Sequence, residues 1–159
     1  MEYISTRNKN QSYSFKEIFL RGLAPDGGLF IPKKIKTYNG SEIKKLSELS
    51  YIDLATEIIF NFCSSDIKKT NLKNLLEKSY KSFSSKEVIN ISKAGDINLV
   101  ELYHGPTLAF KDIAMQVLGN MYDELKVSAS KTVNIIVATS GDTGSAAIAA
   151  LNDRKNINV

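Results

Sequence analysis

The spacing of hydrophobic residues changes along the chain, from helical spacing in the first part to strand and helix signals in the second. In the first part, Ser14–Glu17 forms a capping-box pattern ahead of a short helix. Ser50 precedes a second helix that extends to about Phe62. A third helix is predicted over residues 67–83, and one face of it carries Leu72, Leu75, Leu76, Ser79 and Phe83. We interpret these helices as packing elements.

A strand followed by a long amphipathic helix is predicted after residue 96. Ile97–Tyr103 is rich in apolar residues and stops at Gly105-Pro106, which ends a strand. From Phe110 to Leu125, apolar residues recur at steps of three and four, as in a helix. The intervening positions predict a polar face formed by Asp112, Gln116, Asn120, Asp123 and Glu124.

The last part of the sequence indicates a strand, a glycine-containing loop, a helix and another strand. Val133–Ala138 is an apolar, β-branched run that is typical of a buried parallel strand. Residues 139–144 form the loop, an alanine-rich helix extends to about Leu151, and Asn156–Val159 begins the next strand. Such a βαβ unit places its helix on one face of a parallel sheet, so we predict an α/β fold.

Composition adds few constraints. The chain has 159 residues, 43% of them hydrophobic, which is enough for about one ordinary domain with a core. We divide it into a helical region, residues 1–95, and the start of an α/β domain, residues 96–159. The 21 Lys and Arg against 17 Asp and Glu leave a net charge of +4, spread along the chain. This balance is too weak to indicate a nucleic-acid partner.

Cysteine usage and targeting signals favour a reducing compartment. Cys63 is the single cysteine, so it forms no internal disulfide, and the apolar stretch before it favours a buried structural residue. One His and one Cys argue against a zinc site. The sequence shows neither a hydrophobic leader nor a run of about 18 apolar residues. We therefore expect a cytoplasmic protein without a membrane partner.

The loop at residues 139–144 has the composition of an anion site. It leaves the carboxyl end of a predicted strand, where open α/β sheets bind ligands, and enters a helix whose first N–H groups lack intrahelical partners. Its glycines permit close backbone approach, and its hydroxyl donors are Thr139, Ser140 and Thr143. A carboxylate or a phosphate would fit there. Ser and Thr at a helix start are also ordinary N-caps, so both interpretations stay open at this point.

Lys111 is a second candidate for chemistry. It falls in the first turn of the predicted helix, where the positive end of the helix dipole disfavours an ammonium charge. A neutral amine is the form that attacks an aldehyde. By position alone, however, such a lysine is more often a solvated surface residue. His104 is likewise more often a loop histidine bonded to the backbone than a catalytic group.

Three segments of the sequence resemble the threonine synthase family. Glu101–Asp112, which reads ELYHGPTLAFKD, resembles the segment that carries the cofactor lysine. Ala138–Ala147, which reads ATSGDTGSAA, resembles the substrate loop. Gly22–Pro32, which reads GLAPDGGLFIP, resembles an N-terminal segment. The segments follow one another in the family's order, so the resemblance covers essentially the whole chain.

The resemblance implies a parallel-sheet α/β fold of the tryptophan synthase β-like kind, fold-type II, with pyridoxal 5′-phosphate (PLP) as cofactor. Lys111 would hold PLP in a Schiff base, and Asp142 would lie near its 3′-oxygen. The substrate α-carboxylate would be bound by Thr139, Ser140, Gly141, Asp142 and Thr143. His104 and Phe110 are further candidates, whereas Pro25–Pro32 receives no catalytic role.

The implied reaction converts O-phospho-L-homoserine and water to L-threonine and phosphate, the last step of threonine biosynthesis. Two alternatives stay open. One is another fold-type II lyase such as a threonine dehydratase, against which residues 104–112 argue. The other is a non-catalytic homologue. Because the family's enzymes are far longer, we expect a truncated N-terminal portion that is inactive alone and lacks the glycine-rich loop for the PLP phosphate.

Overall fold

The computed structural model describes residues 1–125 and 132–159 and divides the chain into two compact units, Met1–Lys73 and Asn74–Val159. The elements of the first unit are β1 (Tyr3–Ser5), α1 (Phe15–Arg21), β2 (Phe30–Pro32), α2 (Gly40–Ser47) and α3 (Tyr51–Cys63). α4 (Lys69–Tyr80) begins in the first unit and ends in the second. The elements that follow are β3 (Asn90–Ala94), β4 (Ile97–Glu101), α5 (Asp112–Glu124), β5 (Val133–Asn134), α6 (Asp142–Leu151) and β6 (Ile157–Asn158).

The predicted helix starts in the first unit are confirmed. The Ser14 hydroxyl accepts a hydrogen bond from the Glu17 N–H, and the Glu17 carboxylate accepts one from the Ser14 N–H, which completes the capping box of α1. α1 ends at Gly22, whose φ of 69° is the left-handed conformation that glycine adopts without strain. Ser50 forms a simple N-cap of α3, because its hydroxyl accepts a hydrogen bond from the Asp53 N–H.

Two features of the first unit were not predicted. β1 and β2 pair antiparallel with Ile4 opposite Ile31, and each strand is too short for a periodic signal. α2 begins with a second capping box, formed by Asn39 and Glu42. That spacing is visible in the sequence and could have been found, because an Asx residue three positions before Glu is the same pattern as the one at α1.

The segment Pro25–Pro32 is a turn that leads into β2. Asp26 holds this turn, since its carboxylate accepts hydrogen bonds from the Ser5 hydroxyl at 2.7 Å and from the Gly28 N–H at 2.9 Å. A Cβ atom on Gly28 would lie 2.2 Å from the Ser5 hydroxyl oxygen, so only glycine fits there. These contacts give the segment a structural explanation.

In the second unit, β3 and β4 form an antiparallel hairpin that places Asn90 opposite Glu101. β3 was not predicted, and β4 ends at Glu101 rather than at the expected Tyr103. The turn contains Gly95 with a φ of 62°. The boundary that we predict from composition, after residue 95, falls at this turn inside the second unit. That functional division of the chain stays a prediction.

Three residues of the predicted polar face of α5 are buried, whereas Asp123 of the same face is exposed. Asp112, Gln116 and Asn120 are 0%, 8% and 6% exposed. Asn120 donates through Nδ2 to the Ser79 hydroxyl at 2.9 Å, and that hydroxyl donates to the Leu75 carbonyl at 2.7 Å. Asp112 and Asn120 are hydrogen-bonded to neighbouring residues, whereas the buried Gln116 amide nitrogen has no partner among the described residues. The spacing of polar residues alone does not reveal this burial.

The βαβ unit is confirmed, although its first strand is shorter than predicted. β5 and β6 pair in parallel, with Val133 opposite Ile157 and α6 between them in the chain. The expected strand over residues 133–138 pairs only at Val133–Asn134, because the ladder ends where β6 ends. The buried core beside this sheet consists of Ala147, Ala150, Leu151 and Ile157.

α5 and α6 run in the same direction. A Cβ atom on Gly119 would lie 2.5 Å from the Ala150 carbonyl oxygen. Beyond α6, Arg154 contacts Asp123, near the C-terminal end of α5. Met115 and Tyr122 of α5 both pack against the core cluster that includes Ala147 and Leu151. The contacts of Gly119 with Ala150 and of Asp123 with Arg154 advance in step along the two segments, as expected of helices that run in the same direction. In the described part of the chain, no helix is both long and apolar enough to span a membrane.

Candidate active site

Lys111 occupies the N-cap position of α5, just before the first turn in which the sequence analysis places it. Its carbonyl accepts hydrogen bonds from the N–H groups of Ala114 and Met115, at 3.2 and 2.9 Å. The side chain is half-buried, and its Nζ lies 4.8 Å from the centre of the exposed Phe110 ring. No carboxylate of the described residues forms an ion pair with this amine. Lys111 is therefore accessible to an external reactant.

Asp112, the residue after Lys111, has a structural role. Asp112 is fully buried and uses both carboxylate oxygens on Thr107, accepting from its N–H and from its hydroxyl at 2.8 Å each. Sequence reasoning placed Asp112 on the polar face of the helix and assigned nothing to Thr107. The missed signal is a hydroxyl residue five positions before an aspartate at a helix start, which is a weak pattern on its own.

The backbone between Thr107 and α5 is tightly folded around this carboxylate. A Cβ atom on Gly105 would lie 2.3 Å from the Asp112 Cβ, so the glycine is required by close approach. Leu108 has a φ of 61°, a left-handed conformation that is unusual for a branched residue. The Leu108 N–H donates to the Gly105 carbonyl at 3.2 Å, which closes the turn. The loop that precedes Lys111 thus has one specific shape.

His104 is bonded to the hairpin that precedes the loop. Its Nε2 lies 3.0 Å from Nδ2 of Asn90 and 3.2 Å from the Glu101 carboxylate. The His104 carbonyl accepts from the N–H of Ser84 at 2.8 Å. The pKa of Glu101 is lowered, first by a hydrogen bond from the Ser92 hydroxyl and then by the bond to His104. The contacts support a structural interpretation of His104, although in the described residues its ring bonds to two side chains of the hairpin rather than to the backbone as expected.

In the loop at residues 139–144, Thr139 has a structural role that the sequence did not reveal. Its hydroxyl oxygen accepts hydrogen bonds from the N–H groups of Gly141 and Gly144, at 3.2 and 3.0 Å. Gly141 is the N-cap residue of α6 and has a φ of 146°, which requires glycine. The hydroxyl of Ser145 donates to the Gly141 carbonyl at 3.0 Å. Thr139 therefore shapes the loop, and its hydroxyl hydrogen is not used in these bonds.

The remaining donors of this loop have no protein acceptor in the described residues. The N–H groups of Asp142 and Thr143 are the first two of α6, and no carbonyl or side chain of the described residues accepts from them. The hydroxyls of Ser140 and Thr143 are likewise without a protein partner in that part of the chain. Ser140 and Asp142 are exposed, and Thr143 is half-buried. Two amides and two hydroxyls at a helix N-terminus form a suitable setting for an anion.

Lys111 and this loop lie toward the same end of the second unit. α5 and α6 run in the same direction and meet at Gly119 and Ala150. Lys111 precedes Gly119 by eight residues and Thr143 precedes Ala150 by seven. At about 1.5 Å per helical residue, Lys111 and Thr143 each lie about 10 to 12 Å from the Gly119–Ala150 contact, toward the N-terminal ends of the helices. Lys111 and Thr143 thus both lie on the N-terminal side of the contact between α5 and α6.

The chemistry of these residues fits a carbonyl cofactor better than a metal. An amine without an acidic partner can form a covalent bond with an aldehyde, and the loop can bind a carboxylate. No group of three or more His, Cys, Asp or Glu side chains in the described residues is arranged to hold a metal ion. Lys111 and the loop at residues 139–144 thus form a candidate site for PLP chemistry on an anionic substrate.

Comparisons with known proteins show which family the chain resembles. The family model for the threonine synthase N terminus matches residues 2–80. Threonine synthase of Pseudomonas aeruginosa is 38% identical over 160 residues, which cover 100% of this chain and 34% of that protein. A protein of Xenopus laevis called threonine synthase-like 2 is 37% identical over 161 residues, covering 100% of this chain and 34% of that protein.

Solved structures of threonine synthases are also similar to this chain. The PLP-bound threonine synthase from Brucella melitensis superposes with a TM-score of 0.89 at 35% identity, covering 99% of this chain and 34% of that one. Yeast threonine synthase superposes with a TM-score of 0.90 at 38% identity, covering 98% and 34%. The chain spans about a third of the length of these relatives. It belongs to the threonine synthase family, and within it the chain matches the N-terminal part.

Proposed function

We propose that the protein that carries this chain is a cytoplasmic threonine synthase of fold-type II, which uses PLP to convert O-phospho-L-homoserine and water to L-threonine and phosphate. The observation that supports it most is the placement of the Lys111 amine and the anion donors of residues 139–144 toward one end of two parallel helices. The relatives' names support the reaction. The proposal concerns the whole protein, because the chain spans about a third of its relatives' length.

In this proposal, the loop orients the substrate. The N–H groups of Asp142 and Thr143, with the hydroxyls of Ser140 and Thr143, bind the α-carboxylate, and Thr139 keeps the loop in shape. Fixing the carboxylate at a helix N-terminus restricts how the rest of the amino acid lies. Orientation of this kind can contribute several kcal/mol to catalysis.

Lys111 has two roles in the proposal. It attaches PLP covalently, and during turnover its amine carries protons to and from the substrate Cα and Cβ. PLP supplies the electron sink that makes those carbon-bound protons removable. In this proposal the Asp142 carboxylate lies beside the 3′-oxygen of the cofactor, as the family resemblance implies, and only the Asp142 N–H faces the substrate.

The covalent role of Lys111 can be tested by borohydride reduction in the presence of PLP, followed by peptide mapping. We expect the pyridoxyl group on Lys111 in the full-length wild-type protein and no pyridoxyl group at residue 111 in Lys111→Ala. Lys93→Ala is a matched control, because Lys93 is exposed on β3 and lies outside the candidate site. Recovery of the label on a different lysine would overturn the proposal.

The reaction itself needs an assay that identifies the product. Phosphate release together with L-threonine supports the proposal, whereas ammonia and a 2-oxo acid would indicate a dehydratase-type lyase. Product identity matters here because the Xenopus laevis relative, similar at 37% identity, has only a threonine synthase-like name. PLP uptake on Lys111 without turnover of O-phospho-L-homoserine would favour a non-catalytic homologue.

A further inference from the structure

The carboxylate of Asp112 is a buried and hydrogen-bonded charged group of the second unit. It is 0% exposed, and its two oxygens accept from the N–H and the hydroxyl of Thr107 at 2.8 Å each. An aspartate at a helix start often bonds to N–H groups of its own helix. Asp112 instead bonds to a residue five positions earlier, so its hydrogen bonds stabilise the loop that precedes the helix.

That loop carries Lys111 at its end. Lys111 is joined to α5 through its own carbonyl, which accepts from Ala114 and Met115. On its other side lie the left-handed Leu108 and the close contact of Gly105 with Asp112. The direction in which the Lys111 side chain leaves the backbone is therefore set by the bond between Thr107 and Asp112.

We propose that Asp112 is a positioning residue, which through its two hydrogen bonds with Thr107 holds the Lys111 amine in the orientation for covalent attachment of an aldehyde cofactor. The proposal rests on the proposed function for the identity of that cofactor. Asp112 itself is buried beneath the loop and touches neither the cofactor nor the substrate. Its effect passes through the backbone of residues 107–111.

The chain offers a matched pair of variants at Thr107. Thr107→Val keeps the shape but removes the hydroxyl that donates to Asp112, whereas Thr107→Ser keeps that donor. Loss of a hydrogen bond to a charged group predicts about a ten-fold rise in the PLP concentration that half-saturates Lys111 in Thr107→Val. Thr107→Ser should restore attachment to within about two-fold of the wild type. Borohydride reduction and peptide mapping give both values.

A second measurement needs no cofactor. An amine-directed acylating reagent modifies lysines in the native protein, and mass spectrometry compares Lys111 with Lys93, an exposed lysine of β3 that serves as internal reference. We expect the ratio of the Lys111 rate to the Lys93 rate to change at least about three-fold in Thr107→Val and to return to the wild-type value in Thr107→Ser. A three-fold change corresponds to a fraction of one hydrogen bond's free energy. Gly105→Ala should change it as well, because its Cβ would displace Asp112.

The outcomes separate the two proposals. An unchanged ratio in both Thr107→Val and Gly105→Ala, or a Thr107→Ser protein that behaves like Thr107→Val, would overturn the positioning role. Absence of any PLP attachment in the full-length wild-type protein would overturn the proposed function, and the acylation ratio would still decide the role of Asp112. Unfolding midpoints measured in parallel confirm that the variants are compared as folded proteins.

Discussion

Gly119 of α5 lies against the backbone carbonyl of Ala150 in α6, where a methyl group on residue 119 would approach the oxygen to 2.5 Å. The carbonyl is backbone and cannot move aside as a flexible side chain could. We therefore expect Gly119→Ala to destabilise the protein by about 1–3 kcal/mol, the usual range for overpacking.

The matched control is Gly40→Ala at the first residue of α2, where nothing lies within 4 Å of an added Cβ. This variant should be neutral or up to about 1 kcal/mol more stable, because Ala favours helix over Gly. Urea unfolding measures both. Equal stability of Gly119→Ala and Gly40→Ala would contradict the close packing of α5 on α6.

Thr143 is expected to act on the substrate rather than on the fold. Thr143→Val removes a hydroxyl that has no protein partner in the described residues. Loss of a hydrogen bond to a charged substrate group should lower kcat/KM roughly ten-fold to over a hundred-fold, with PLP absorption nearly unchanged. Steady-state kinetics with O-phospho-L-homoserine test this, and Thr143→Ser should retain most activity. Full activity in Thr143→Val would instead leave the loop as a simple helix start.

Thr139 is expected to behave differently from Thr143. Its hydroxyl oxygen accepts from two backbone N–H groups, those of Gly141 and Gly144, so Thr139→Val leaves both donors without that acceptor. We expect a loss of stability of about 1 kcal/mol and faster amide exchange at both glycines, independent of substrate. Native-state hydrogen exchange measures this. Unchanged exchange at Gly144 would argue against the structural role.

Cys63 should be almost unreactive in the native protein. It is 0% exposed, and burial raises the pKa of its thiol to about 11. At pH 8 the thiolate fraction, and with it the rate of reaction with an aromatic disulfide reagent, should be at least about a hundred-fold lower than in urea. Cys63 is the single cysteine, so the whole thiol signal reports on it. A native rate equal to the rate in urea would show that the first unit opens readily.

Asp26 is expected to make stability depend on acid pH. The hydrogen bond from the Ser5 hydroxyl, followed by that from the Gly28 N–H, lowers the pKa of this carboxyl. Since the folded pKa lies below the unfolded one, the contribution is present above about pH 4 and is lost as the pH falls through the folded pKa. Asp26→Asn should flatten that loss in unfolding curves between about pH 2 and 5.

The control for this pH dependence is Asp96→Asn, at the exposed turn between β3 and β4, where the structure shows no side-chain hydrogen bond. It should keep the wild-type acid profile. An Asp26→Asn protein with the same profile as Asp96→Asn would place the acid sensitivity in other carboxylates.

Local signals in the sequence were sufficient for several elements. Capping residues and apolar spacing located α1 and α3 because both act within a single helical turn. The βαβ unit around α6 was predicted for the same reason, since a β-branched run, glycines and an alanine-rich stretch follow one another. The length of β5 was not predicted correctly, because a strand ends where its partner ends, and the partner β6 lies more than twenty residues later.

For the site, the sequence by itself determined which groups are chemically suited: an amine at Lys111 and hydroxyls with glycines at residues 139–144. Only the tertiary structure decided that α5 and α6 run in the same direction and so bring these groups toward one end. It also buried Asp112 against Thr107 and bound Thr139 to its own loop. The physical reason is that a polar side chain has the same local pattern whether it faces water or a partner, and the packing of distant segments selects between the two.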